Sequence, residues 1–113
     1  MHEMSLAKSM YEIIEETARK NNAKQVKSVQ VELGVLSHAE PDALTFAFEV
    51  VTHGTIAEGA RFDIIRLSGK AWCMVCARTV PLPKLGAPCP DCNGYQLAVT
   101  QGDEMRIASI EII

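Results

Sequence analysis

Two C-x-x-C pairs constrain this 113-residue chain more than any other feature of its sequence. Cys73 and Cys76 form the first pair, and Cys89 and Cys92 form the second pair after twelve intervening residues. A two-residue gap lets one tight turn present both thiolates to the same ion, and two such turns complete the tetrahedron that structural Zn²⁺ prefers. Because four thiolates leave no open coordination position, the pattern predicts a structural zinc ion and not a catalytic one.

Two other uses of paired cysteines fit this spacing less well. Thiol–disulfide exchange uses a single C-x-x-C at a strand-to-helix junction, and no convincing helix follows either pair. The spacing also does not suit an iron–sulfur cluster well. In a reducing compartment four cysteines are more often metal ligands than disulfides.

Composition and charge exclude several functional classes. Eleven Lys and Arg residues against fourteen Asp and Glu residues give a net charge of −3, whereas a duplex-binding surface needs clustered positive charge. No run of about 18 apolar residues predicts a membrane span, and the first residues lack the features of a signal peptide. No catalytic triad, phosphate-binding glycine loop or pair of catalytic carboxylates can be assembled. We therefore expect a cytoplasmic protein that is not an enzyme and that binds neither nucleic acid nor membrane.

The remainder of the chain alternates between helical and extended patterns. Apolar residues recur at helical spacing from Met4 to Asn22, and Pro41 is well placed at the first position of a second helix. Alternating patterns predict strands over 26–36, 60–67 and 105–112. This order predicts an α+β fold in which two helices pack on a small, mainly antiparallel sheet that the C-terminal strand completes.

The segment 68–102 differs in amino-acid composition from the residues on either side of it. It holds all four cysteines and four of the five prolines, so it can build little core from side chains and needs a metal. We interpret it as a zinc-binding domain inserted into an α+β domain that comprises 1–67 plus 103–113. Trp72 and Tyr95, which lie near the cysteine pairs, are expected to cover the zinc site.

The first three residues form a second candidate metal site. The terminal amine, the His2 amide nitrogen and the His2 imidazole can close adjacent chelate rings around one ion, with Glu3 as a fourth donor. Such a nitrogen-rich set suits Ni²⁺ or Cu²⁺. A histidine at position 2 is, however, more commonly a frayed terminal residue, and the residues alone leave both interpretations open.

Several motifs occur together and in a fixed order along the chain. They are Met1–Glu3, Val31–Ser37, Glu40-Pro41 with Leu44, Phe46 and Phe48, Gly54-Thr55 with Glu58–Ala60, the two C-x-x-C pairs, and Gly102 with Glu104–Arg106. In these motifs the chain resembles the HypA/HybF family of hydrogenase nickel-incorporation proteins. The resemblance covers essentially the whole length of the chain.

The resemblance implies two metal sites on two domains. Nickel, as transferred cargo, falls on His2 and the backbone near it, with Glu3 as the acidic neighbour and Glu40 near the site. The zinc ligands are Cys73, Cys76, Cys89 and Cys92. The domain formed by 1–67 plus 103–113 is then the nickel-binding one.

The resemblance also implies partners and a role as a nickel metallochaperone. These partners are the GTPase HypB and the large subunit of [NiFe]-hydrogenase, with urease as a further target of some relatives, and a homodimer is compatible with it. Some relatives carry a histidine directly after a C-x-x-C pair, where this chain has Ala77 and Asn93, so exchange of zinc ligands with pH is not implied here. The alternative function is a zinc-stabilised adaptor that bridges proteins without carrying nickel.

Overall fold

The computed structural model describes residues 2–113, which form two helices and six strands. In chain order these elements are α1 (Glu3–Lys20), β1 (Val26–Gly34), α2 (Pro41–Thr52), β2 (Arg61–Leu67), β3 (Lys70–Cys73), β4 (Arg78–Pro81), β5 (Leu97–Gln101) and β6 (Met105–Ile112). Both predicted helices and all three strands predicted outside the cysteine segment are present. The α+β fold class is confirmed, whereas β3, β4 and β5 were not predicted.

The first sheet has the strand order β2-β1-β6. Val26 donates its backbone N–H to the Ile56 carbonyl at 3.0 Å and Val35 donates to Leu67 at 2.9 Å, so β1 and the segment containing β2 advance in the same direction. The intervening α2 is therefore the crossover that a parallel pair requires. On the other side of β1, Gly34 donates to Glu104, and β6 completes the sheet as predicted.

The core of this part of the chain is formed by the inner faces of α1, α2 and β1. The buried apolar residues are Ala7, Met10, Ile14 and Ala18 of α1, Val29 and Val31 of β1, and Leu44, Ala47 and Phe48 of α2. The Phe48 ring stacks on Phe62 of β2 with 4.3 Å between ring centroids. The helical stripe that the sequence predicts on α2 is thus the face that it buries.

The opposite face of β1 is polar and hydrogen-bonded. Gln30 Nε2 donates to Asp63 Oδ2 at 3.1 Å, and Ser28 Oγ donates to Glu111 Oε1 at the same distance. Ser28 is buried, and its hydroxyl is satisfied by that bond. The predicted wet face of this strand is therefore a network of cross-strand polar pairs.

The chain divides into two compact units. The first unit comprises residues 2–31, 39–65 and 106–113, and the second comprises residues 32–38 and 66–105. The second unit contains the antiparallel sheet β4-β3-β5, in which Lys70 pairs with Pro81 and Cys73 with Arg78. The assignment of one domain to nickel and one to zinc stays a prediction. Across residues 2–113, no helix has both the length and the apolar content of a membrane span.

Substitution of Phe48 tests the core of the first unit. Phe48→Ala is expected to lower the free energy of unfolding by about 3–5 kcal/mol, because it removes a buried ring and leaves a cavity. Phe46→Ala on the same helix is the matched control, since that ring is 65% exposed, and it should cost about 0.5 kcal/mol or less. Urea unfolding of dilute protein, followed by circular dichroism, measures both values. Equal losses for the two variants would contradict the burial described above.

Candidate metal centre

Four sulfur atoms converge in the second unit. The sulfurs of Cys73, Cys76, Cys89 and Cys92 all lie within 4.8 Å of one another, and within residues 2–113 this is the one group of three or more His, Cys, Asp or Glu side chains that converges in this way. Cys73 and Cys92 are 3.7 Å apart, and Cys76 and Cys89 are 3.9 Å apart. A regular tetrahedron with metal–sulfur bonds of 2.3 Å has sulfur–sulfur separations of about 3.8 Å. The cluster therefore has the size of a four-thiolate metal site.

Each cysteine pair sits in the same kind of turn. The residue after each pair, Ala77 or Asn93, has a positive φ of 53° or 62° and donates its N–H to the carbonyl of the first cysteine at 2.8 Å. A second backbone N–H, from Cys76 in one turn and Asp91 in the other, points to the first sulfur at 3.4 Å. The two turns thus orient the thiolates with main-chain hydrogen bonds, which need no particular side chain.

The environment of the cluster is apolar on the side of the second sheet. Cys73 and Cys89 are fully buried and pack against Val80 and Leu97. The expectation that Trp72 and Tyr95 cover the site is wrong, because these side chains are 42% and 71% exposed. Trp72 precedes Cys73 on β3, and successive side chains of a strand point to opposite faces, so burial of the cysteine turns the indole towards solvent.

Hydrogen bonding and burial shift the pKa values of Cys73 and Cys76 in opposite directions. The backbone N–H of Cys76 donates to the Cys73 sulfur, and this bond lowers the pKa of Cys73 to about 7. Burial raises the pKa of Cys76 to about 12. Because a thiol must lose its proton to bind metal, the Cys76 N–H that points to the Cys73 sulfur favours the form of that side chain that binds a metal ion.

Nearby charges moderate the negative field of four thiolates. A Zn²⁺ ion with four thiolates carries a formal charge of −2, and segment 68–100 contributes Lys70, Arg78 and Lys84 against a single acid, Asp91. Arg78 and Asp91 form an ion pair with each other. A metal-loaded module is consequently close to neutral, which does not favour a nucleic-acid surface.

The structure places the N-terminal candidate residues at the starts of both helices. His2 is the exposed N-cap of α1 and makes no side-chain capping hydrogen bond. Glu3 is buried, and its carboxylate accepts the backbone N–H of Glu40 at 2.9 Å. The Glu40 carboxylate in turn caps α2 by accepting the Ala43 N–H at 2.7 Å. The terminal amine of Met1, the remaining predicted donor, lies outside the described residues.

The two candidate sites therefore differ in how far the structure assembles them. The four cysteine sulfurs lie within 4.8 Å of one another. The ligand atoms of His2, Glu3 and Glu40 do not form a converging group of three, although one hydrogen bond joins Glu3 to the backbone of Glu40. The sequence did not indicate that this bond exists, because it joins residues 37 positions apart.

Residues 1–112 match the family described as hydrogenase/urease nickel incorporation, metallochaperone, HypA. The chain belongs to the HypA family. Membership confirms the resemblance seen in the sequence motifs and assigns the chain to a family of metallochaperones and maturation factors.

Individual HypA proteins are similar to the chain over its whole length. The hydrogenase maturation factor HypA of Rhodopseudomonas palustris strain BisB5 is 56% identical over 112 residues, which cover 99% of both chains. That of Rhizobium leguminosarum bv. viciae is 50% identical and is covered in full. The solution structure of the Ni metallochaperone HypA from Helicobacter pylori superposes with a TM-score of 0.72 at 30% identity, and the match covers all of this chain and 98% of the other.

Loss of one thiol tests the dependence of the second unit on metal. Cys73→Ser, or removal of the metal with a chelator, is expected to unfold the segment 68–100 while most of the helical signal persists, because α1 and α2 bury their own apolar faces. Met74→Ser is the matched control, since this neighbour in the same turn is 62% exposed. Metal analysis, circular dichroism and amide NMR spectra measure the outcome. Loss of the helical signal in the same step would contradict the account.

Substitution of Glu3 tests the link between the two helix starts. The Glu40 N–H, which donates to the carboxylate, lowers the pKa of Glu3 below its ordinary value of 4.5. The carboxylate therefore stabilises the fold above pH 4.5, and this contribution is lost as the pH falls through the lowered pKa. The stability difference between the unmodified chain and Glu3→Gln should shrink over that range. The control, Glu12→Gln on the exposed face of α1, should change stability far less at neutral pH.

Proposed function

We propose that this chain binds Ni²⁺ at its N-terminus and helps to insert it into [NiFe]-hydrogenase during maturation, while a Zn²⁺ ion held by the four cysteines keeps the second unit folded. The observation that carries the nickel site is the exposed His2 imidazole, which makes no capping hydrogen bond and is free for a metal ion. Membership of a nickel-incorporation family supports the same assignment.

The backbone at the start of α1 is available for coordination as well. The first hydrogen bond of the helix runs from the Leu6 N–H to the His2 carbonyl at 2.9 Å, so the amide nitrogens of His2 and Glu3 lie outside the helical ladder. Nickel can replace their protons without breaking a helical hydrogen bond. The proposed ligands are the terminal amine, the His2 amide and imidazole nitrogens, and a donor from Glu3, a set that suits square-planar Ni²⁺.

Electrostatics at the helix starts bear on this assignment. A cation beside a helix N-terminus opposes the helix dipole, at a cost of about 0.3–1 kcal/mol for an exposed site. Even a micromolar nickel site corresponds to about 8 kcal/mol of binding free energy, so the dipole does not prevent binding. The carboxylates of Glu3, Glu40 and Asp42 at these two helix starts offset part of the cost.

Glu40 is assigned a positioning role in this proposal. Its carboxylate is engaged with the Ala43 N–H and its own N–H with the Glu3 carboxylate. The bond from the Glu40 N–H orients Glu3 beside His2, and the bond from Ala43 leaves the Glu40 carboxylate less suited to direct coordination. Glu3 and Glu40 thus contribute to one N-terminal site in different ways.

The proposed handling of nickel follows from the exposure of the site. A nickel ion held beside the exposed His2 imidazole can pass to a partner without any opening of the fold. The partners proposed are the GTPase HypB and the large subunit of [NiFe]-hydrogenase, with urease as a further target. We place this activity in the cytoplasm, the reducing compartment in which four free thiols stay available to zinc.

Nickel binding by histidine variants tests the proposal. His2→Ala is expected to weaken equilibrium nickel binding by about tenfold or more, whereas His38→Ala, which removes another exposed histidine, should leave it unchanged. The affinity of the unmodified chain should also fall between about pH 8 and 5.5, because imidazole and amine nitrogens must lose their protons to bind metal. Calorimetry on untagged, zinc-loaded protein measures both effects.

An extension of the chain separates the amine from the side chain. Residues added before Met1 convert the amine to an amide, so they should weaken nickel binding while zinc content and folding stay normal. Unchanged affinity in the extended protein would remove the amine from the ligand set. Unchanged affinity in His2→Ala as well would overturn the N-terminal site and favour the zinc-stabilised adaptor.

A further inference from the structure

The second cysteine turn contains an asparagine–glycine pair directly after its last cysteine. Asn93 follows Cys92 and precedes Gly94, and its side chain is exposed. An asparagine before glycine is chemically labile, because the next backbone nitrogen can attack the side-chain amide and glycine has no side chain to hinder the attack. The other asparagines, Asn21 and Asn22, precede an asparagine and an alanine. Asn93 is therefore the asparagine of this chain with the least hindered neighbour.

The conformation of this turn holds the two reacting atoms apart. Asn93 has a φ of 62°, in the left-handed region where ψ is about +47°. At that ψ the Gly94 nitrogen lies anti to the Asn93 Cβ, so the side-chain carbonyl carbon, Cγ, cannot reach it. Closure of a five-membered ring needs this nitrogen and Cβ on the same side of the Cα–C bond. The bond must therefore rotate by nearly half a turn before the reaction can begin.

Backbone hydrogen bonds hold this conformation around the sulfurs. Asn93 donates its N–H to the Cys89 carbonyl, and Cys89 donates its own N–H to the Gly94 carbonyl, both at 2.8 Å. The attacking group is itself engaged, because the Gly94 N–H donates a hydrogen bond to the Cys92 thiol. A Cβ on Gly94 would lie only 3.3 Å from that sulfur. Rotation at Asn93 breaks these contacts, and a metal ion bound to the Cys92 sulfur opposes the rotation.

We infer that Asn93 is a deamidation site that bound metal protects and that loss of metal exposes. In the reaction the Gly94 nitrogen bonds to Asn93 Cγ, the C–N bond of the side-chain amide breaks, and the Gly94 proton leaves with the amide nitrogen as ammonia. Water then opens the resulting succinimide at one of its carbonyls, which gives aspartate or isoaspartate. The inference rests on the zinc ion of the proposed function and concerns how long the chain stays able to bind it.

Isoaspartate at this position changes the backbone of the turn irreversibly. Its main chain runs through Cβ, so an additional carbon separates residue 93 from Gly94. The added length displaces the Gly94 N–H and carbonyl, which bind Cys92 and Cys89. The turn then no longer presents its two sulfurs to one ion. Aspartate, the other product, keeps the normal backbone and tolerates the left-handed conformation. A chain left without metal therefore loses its ability to rebind zinc as isoaspartate accumulates.

Incubation of the full chain with and without zinc tests the inference. Zinc-loaded protein and protein freed of metal by a chelator are kept under reductant at mildly alkaline pH and sampled over time. Peptide mass spectrometry measures the converted fraction of each asparagine and its isoaspartate share. Asn93 should convert at least about tenfold faster in the metal-free chain, because the reaction requires local opening of the turn. Asn22 is the internal control, since it also has a positive φ, of 52°, but lies in the first unit.

Zinc rebinding by two variants separates deamidation from other damage to the metal-free chain. Asn93→Gly removes the reacting amide and keeps a residue that adopts a positive φ readily, so it should recover its full zinc content after metal-free incubation. Asn93→Asp carries the product with the normal backbone and should bind zinc before any incubation. The parent chain should lose rebinding capacity in step with its isoaspartate share. Metal analysis after zinc is returned measures all three.

The outcomes distinguish failure of this inference from failure of the zinc site. Equal conversion of Asn93 in the zinc-loaded and metal-free chains would overturn the inference and leave the zinc site standing. Full rebinding by a chain that is mostly isoaspartate at this position, or an equal loss of rebinding in Asn93→Gly, would overturn it as well. A parent chain that takes up no zinc when first loaded would contradict the zinc site of the proposed function, and the inference with it.

Discussion

The convergence of four cysteine sulfurs is the central interaction of the second unit. The strands β3, β4 and β5 of this unit are four or five residues long. The unit buries few side chains, and these are small. Hydrophobic burial on this scale does not hold so many prolines and turns in one conformation. We expect metal ligation by the four thiolates to supply the missing free energy, because apparent values for structural zinc reach about 10–16 kcal/mol in small peptides. The short sheet and the two cysteine turns are therefore expected to depend on metal binding.

In the first unit, a different interaction joins the two helix starts. The Glu3 carboxylate binds the backbone at Glu40, and it places a negative charge where two helix dipoles are positive. This arrangement stabilises both helices and also holds the residue next to His2 in a defined orientation. Such support beside the exposed His2 imidazole is what the proposed nickel site would need in order to bind an ion and still release it.

The sequence predicted the elements whose signals are local. The helical spacing around Phe48 and the alternation along β1 predict the faces that the structure buries. The proline at the start of α2 predicts where that helix begins. The short strands β3, β4 and β5 were missed because they are four or five residues long and are interrupted by cysteines and prolines. Such short segments offer too few positions for an alternating apolar pattern to be recognised in the sequence.

The candidate sites show the same division between local and distant signals. The cysteine spacing predicted the cluster that the structure assembles, because the two turns are local. Asn93 could have indicated the left-handed residue after its pair, since asparagine tolerates that conformation, but Ala77 carries no such signal. The bond between Glu3 and Glu40 depends on how α1 packs beside α2, which no local pattern encodes. Exposure of Trp72 was missed because strand alternation at Cys73 could not be seen without β3.

The central claim is that one chain keeps zinc and nickel in two chemically separate sites. X-ray absorption spectra of the untagged protein loaded with both metals test this claim most directly, because each absorption edge reports the ligands of one metal. The account predicts four sulfur ligands at about 2.3 Å around zinc and only nitrogen and oxygen ligands around nickel. Sulfur scattering at the nickel edge, or loss of sulfur around zinc when nickel is added, would contradict it.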